Sequence, residues 1–168
     1  MDIKEAIQRP LPLKNTIQKY AWGSYTAIQH LMGEFSTDAP WAEVWMGAHP
    51  KAPSMADVNG KWMALDGLIQ QFPDDILGSE VAARFNNALP FLFKILAADQ
   101  PLSIQAHPNQ RRAMAGFARE NARGLVLDDP TRTYRDPFHK PECICALTPF
   151  TVLKGFRDVS DIMDLLAG

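Results

Sequence analysis

Two polar segments of this chain carry side chains of the types that ligate metals. Ser103-Ile104-Gln105-Ala106-His107-Pro108-Asn109 alternates polar and apolar residues, and His139-Lys140-Pro141-Glu142 follows further on. Alternate side chains of a strand share a face, so Ser103, Gln105 and His107 are expected on one side of a strand, with Ile104 and Ala106 on the other. The same period puts Lys140 and Glu142 together, with Ile144 and Ala146 continuing that face towards the core. If the two strands line one cavity, an amide, an imidazole and a carboxylate face a common cation, for which zinc is the natural candidate. These are three ligands, and a fourth is required.

The elements that would position these groups are short. From Leu13 to about Asp57, Gly23, Gly33, Pro40, Gly47 and Pro50 punctuate runs rich in Tyr, Trp, Val and Ile, a series of strands. Within Trp41-Ala42-Glu43-Val44-Trp45-Met46-Gly47-Ala48-His49, the polar face carries Glu43, Trp45, Gly47 and His49. Leu65, Leu68, Ile69 and Phe72 recur at helical spacing until Pro73 breaks the run, and a second short helix starts at Asp74 or Ser79. Leu89 to Ala98 returns to strand composition, with Lys94 the single charge in an apolar run; it must reach solvent by its stem or face a polar cavity. Asn109 caps a helix through about Asn121, with Met114, Phe117 and Ala118 on one side, Arg111, Arg112, Arg119 and Arg123 on its solvated face and Gly124 as terminator. Leu125 to Pro137 is loop chemistry, Glu142 to Val152 is strand-like, and Val159, Ile162, Met163, Leu165 and Leu166 open a final helix with Ser160 as its cap.

At 168 residues, with 46% hydrophobic and 21% charged residues, the chain suffices for one well-buried domain. A formal net charge of -2 without a basic run argues against nucleic acid or an anionic membrane as partner. The start Met1-Asp2-Ile3-Lys4-Glu5 has no signal-peptide core and no stretch approaches about 18 apolar residues, so a cytoplasmic location is expected. Cys143 and Cys145, the only cysteines, read as small buried hydrophobes in a reducing compartment.

Five phrases in order, Tyr20-Ala21-Trp22-Gly23, Ala42-Glu43-Val44-Trp45-Met46-Gly47, Pro90-Phe91-Leu92-Phe93-Lys94, Pro101-Leu102-Ser103-Ile104-Gln105-Ala106-His107-Pro108 and His139-Lys140-Pro141-Glu142, resemble the type I mannose-6-phosphate isomerases. These are zinc enzymes of the cupin, or jelly-roll, superfamily. The resemblance implies a mainly β fold with helices: a cupin jelly-roll barrel portion over 1–152, incomplete, and the start of an inserted helical domain over 153–168. It implies that Gln105, His107 and Glu142 match three ligands of one zinc ion. The family's fourth ligand, a histidine, and an active-site arginine lie later than this sequence reaches. Unpaired strand edges would then need cover from another chain or segment.

The implied activity interconverts mannose 6-phosphate and fructose 6-phosphate by an enediol-type proton transfer, feeding mannose into nucleotide-sugar synthesis. Ser103, Lys94 and Trp22 are the expected substrate-binding residues, with Ser103 and Lys94 toward phosphate or sugar. Lys140 and Glu43 are the candidate catalytic groups, and the proton-transfer base stays open among Glu43, His49, Lys140 and a metal-bound hydroxide. On residue types alone, Glu43 reads as a carboxylate paired within the sheet, Trp22 and Trp45 as core aromatics, and His30 and His139 as exposed or hydrogen-bonded. A non-catalytic cupin module that binds a metal or sugar phosphate is the alternative function. A dioxygenase-like iron cupin expects His-x-His where Gln105 stands.

Overall fold

The computed structural model describes residues 2–167, which fall into two compact units, 2–104 and 105–167. The first unit holds every strand found among the described residues, in two three-stranded antiparallel sheets with short helices between them.

One sheet runs β1 (Leu13–Lys14), β4 (Met55–Val58), β5 (Lys61–Ala64). Strands β4 and β5 form a hairpin in which Val58 opposes Lys61 across Asn59 and Gly60. Both turn residues have positive φ, 55° and 82°, the combination a two-residue hairpin turn needs and Asn-Gly supplies. Burial alternates along β4, with Ala56 and Val58 inward. They pack with Ala6 and Ile7 beside helix α1 (Ile3–Ala6) and with Leu68 of α3 (Leu65–Gln71), and Met63, Phe72 and Ile76 extend this core. Pro73 ends α3 and opens α4 (Pro73–Leu77) at its first turn, where the missing N–H costs no helical bond, and α5 (Ser79–Arg84) follows after Gly78. Of the two starts foreseen for a second helix, Ser79 opens α5, and α4 begins one residue before the other, Asp74. Helix α2 (Ala27–Leu31) lies where only strands were expected.

The second sheet runs β2 (Thr16–Gln18), β3 (Glu43–Met46), β6 (Phe93–Leu96). Its central strand pairs Trp45 with Thr16 on one side and with Lys94 on the other. Beyond the strand ends, Gly23 bridges Ala98 and Ser24 bridges Trp41. A Cβ at Gly23 would stand 2.6 Å from the Ala42 Cα, so only glycine permits this backbone approach.

The second unit contains α6 (Gln110–Ala122) and α7 (Val159–Ala167) and no strand among the described residues. The cap foreseen for α6 is present: Asn109 Oδ1 accepts from the Arg112 N–H at 3.0 Å. Gly124 beyond its end takes φ +75°. The packed face differs from the expected one. Ala113, Gly116 and Glu120 are buried with Phe117 half-buried, while Met114 and Ala118 are exposed. A Cβ at Gly116 would meet the Tyr134 ring at 2.5 Å, so the small residue sets this face.

Two expectations are corrected. Residues 103–109 and 142–152 are not strands, because a strand exists through its ladder and neither segment pairs in a sheet with another described one. The barrel was expected to be incomplete, and the described strands form two separate sheets. Cys143 and Cys145 are exposed free thiols, since the segment that was to bury them is irregular. No helix among the described residues is long and apolar enough to cross a membrane.

Candidate metal and substrate site

Two candidate groups of the first unit, Glu43 and Lys94, lie on β3 and β6. Antiparallel register sets Lys94 directly opposite Trp45, which puts Lys94 diagonal to Glu43 on the same face. Glu43 is buried, and its two oxygens are both engaged: Oε2 accepts from the Trp45 indole N–H at 2.6 Å and Oε1 from Lys94 Nζ at 3.1 Å. A buried carboxylate so held fixes the direction of the half-exposed Lys94 stem. The Trp45 ring meets the His49 ring edge-on, with centroids 4.7 Å apart. Trp22 is half-buried and stacks on Tyr20 at 5.6 Å, and its carbonyl accepts from the N–H of Asp99 at 2.9 Å. Ser103 is exposed and makes no hydrogen bond among the described residues.

In the second unit, His107 and Glu142 come together although neither lies on a strand. His107 Nε2 stands 3.7 Å from Glu142 Oε2, with the imidazole 30% and the carboxylate 65% exposed. That separation exceeds a hydrogen bond. Two ligands of one tetrahedral zinc, each about 2.0–2.2 Å from the ion, lie about 3.3–3.6 Å apart. The pair thus stands within tenths of an ångström of the spacing a shared zinc demands, and the donor types fit that ion. Gln105 is exposed and makes no hydrogen bond among the described residues, and no three His, Cys, Asp or Glu side chains there converge as a metal-holding group. Lys140 Nζ bonds Asp136 Oδ2 at 2.7 Å.

Several groups around these residues escaped the reading of the sequence. Trp45, a core aromatic by residue type, bonds the Glu43 carboxylate through its indole N–H. Asp136 was read only as loop chemistry, yet its opposite charge four residues before Lys140 was a visible signal. Gln110, which bonds the backbone of Pro137 and His139, carried no signal at all.

The chain matches the family model described as phosphomannose isomerase type I, catalytic domain, over residues 11–159. It is 51% identical to a mannose-6-phosphate isomerase of Salmonella typhimurium over 156 residues, covering 92% of this chain and 40% of that protein. It is 39% identical to the Homo sapiens mannose-6-phosphate isomerase over 177 residues, covering 96% and 38%. Among solved structures, a point variant of phosphomannose isomerase from Salmonella typhimurium superposes with TM-score 0.84 at 49% identity, over 93% of this chain and 39% of that one. A second, from the same organism and bound to fructose 6-phosphate and zinc, gives TM-score 0.71 at 50% identity over 77% and 33%. The chain thus spans about 40% of the length of the curated relatives it matches.

Proposed function

The chain belongs to the type I phosphomannose isomerase family, and from that premise we propose that it is the N-terminal share of a zinc-dependent isomerase interconverting mannose 6-phosphate and fructose 6-phosphate. The observation that carries the proposal is the approach of His107 to Glu142 at 3.7 Å, a spacing suited to a shared zinc. Gln105, His107 and Glu142 would hold the ion, with a fourth ligand from outside this chain. When bound, zinc supplies a Lewis acid toward the sugar's carbonyl and hydroxyl oxygens.

The remaining work falls to side chains. Lys94, aimed by Glu43, offers a cation to the phosphate, and Ser103 offers a hydroxyl to phosphate or sugar, with Trp22 as an apolar wall. Glu43 serves this step by orientation, because both its oxygens are already committed to Trp45 and Lys94. Lys140, held by Asp136, is the candidate for moving a proton between the sugar's adjacent carbons or their oxygens. The jelly-roll barrel, the division at residue 152 and the cytoplasmic location belong to the same proposal. So does cover for the edge strand β6, where Phe93 is exposed.

A binding module without turnover is favoured for the chain taken alone by one observation: among the described residues no third His, Cys, Asp or Glu joins His107 and Glu142. A coupled assay for fructose 6-phosphate separates the two readings. It is run on this chain and on a chimera carrying the remaining length of the Salmonella relative, each with and without a chelator. The chimera is expected to turn over mannose 6-phosphate and to lose on the order of 100- to 1,000-fold with chelator, while the chain alone is inactive. An inactive chimera leaves the binding module, and activity unaffected by chelation removes zinc.

A further inference from the structure

The segment joining the end of α6 to Glu142 is irregular, yet it is fastened to α6 at both ends. At the far end, Arg132 is 5% exposed and spends its whole guanidinium on the fastening. Its Nε donates to the Tyr134 carbonyl at 2.7 Å, Nη2 to Asn121 Oδ1 at 2.7 Å and Nη1 to the Leu125 carbonyl, and the Phe117 ring lies 4.9 Å from its centre. Glu120, equally buried, stands 3.9 Å from Arg132 Nε and accepts the backbone N–H groups of Thr133 at 3.3 Å and Tyr134 at 2.8 Å. At the near end, Gln110 Nε2 donates to the Pro137 carbonyl at 3.0 Å, and Gln110 Oε1 accepts from the His139 N–H at 3.2 Å.

Gln110 comes three residues after His107, and His139 three before Glu142. The amide of Gln110 is therefore the tie nearest to both proposed ligands. A ligand on an irregular segment loses conformational freedom when it binds a metal, and it loses less if the segment is already held in place. We propose that Gln110 is a positioning residue which, with the Glu120–Arg132 anchor behind it, straps residues 123–139 along α6 and sets Glu142 opposite His107 for zinc. The inference rests on the zinc site proposed above.

The test is zinc affinity of the purified chain, read by competition with a chromogenic chelator, for the parent, Gln110→Leu and His107→Ala. The thermal midpoint of each is taken with metal removed. Gln110→Leu is expected to bind zinc about 10- to 100-fold more weakly than the parent. Its metal-free midpoint should stay unchanged, and His107→Ala should bind more weakly still. Gln110→Asn, equally polar but too short to reach both partners, gives the same readout and guards against a folding defect in the leucine variant. Parent-like affinity in both Gln110 variants, with His107→Ala weakened, overturns the strap and leaves the zinc site standing. A parent that does not bind zinc, or a His107→Ala variant that binds as the parent does, overturns both.

Discussion

Lys94 shows how one side chain's environment decides its use. A lysine in the apolar run Phe91 to Leu96 was expected to snorkel or to face a polar cavity, and its partly exposed side chain ends 3.1 Å from the buried Glu43 carboxylate, which fixes where its charge lies. Removing the charge by Lys94→Met in the chimera is expected to raise KM for mannose 6-phosphate with a smaller change in kcat, as steady-state kinetics would report; an unchanged KM removes the phosphate role. Glu43→Gln keeps the shape but weakens the hold on Lys94, and is expected to shift KM in the same direction by a smaller factor. Away from the site, Asp129 offers a pH test. Its carboxylate accepts from the Thr131 hydroxyl at 2.6 Å and the Thr131 N–H at 2.8 Å, which hold its pKa below the ordinary value, with Arg132 adding to the effect. A lowered folded pKa stabilises the fold above the unfolded value, and the contribution is lost as pH falls through the folded one. Carboxyl NMR is expected to place the Asp129 midpoint below that of a model peptide, and Thr131→Val should raise it.

At the scale of elements, what could be read in the sequence were those whose signals are local. The Asn109 cap, the Gly124 stop, the break at Pro73 and the strands around Glu43 and Lys94 all follow from neighbouring residues. The strands expected at 103–109 and 142–152 did not form, because alternation marks which faces a strand would present but supplies no partner for its ladder. The buried face of α6 was displaced for a related reason. Periodicity nominated Met114 and Ala118, whereas Tyr134, returning from the distant loop, packs on Gly116 and draws Ala113 and Glu120 inward. Gly116→Ala should therefore force the ring away and destabilise the unit by about 1–3 kcal/mol, measured by urea unfolding. An unperturbed midpoint would show that Tyr134 moves freely. The same substitution at Gly67, which has open space around it, should cost nothing or stabilise slightly.

For the whole molecule, a strand pair was expected to bring His107 and Glu142 together, and a loop folded back along α6 brings these two within 3.7 Å instead, with Gln105 exposed. The apolar residues of α7, including Val159, Leu165 and Leu166, are exposed, and β6 lies at the edge of its sheet. The central claim is that His107 and Glu142 ligate one ion. An anomalous difference map from zinc-soaked crystals, collected on both sides of the zinc edge, tests this most directly. The account predicts one peak about 2.0–2.2 Å from both His107 Nε2 and Glu142 Oε2, with Gln105 turned toward it. A zinc peak held by the Cys143 and Cys145 thiols with none between His107 and Glu142, or no peak at all, would contradict it.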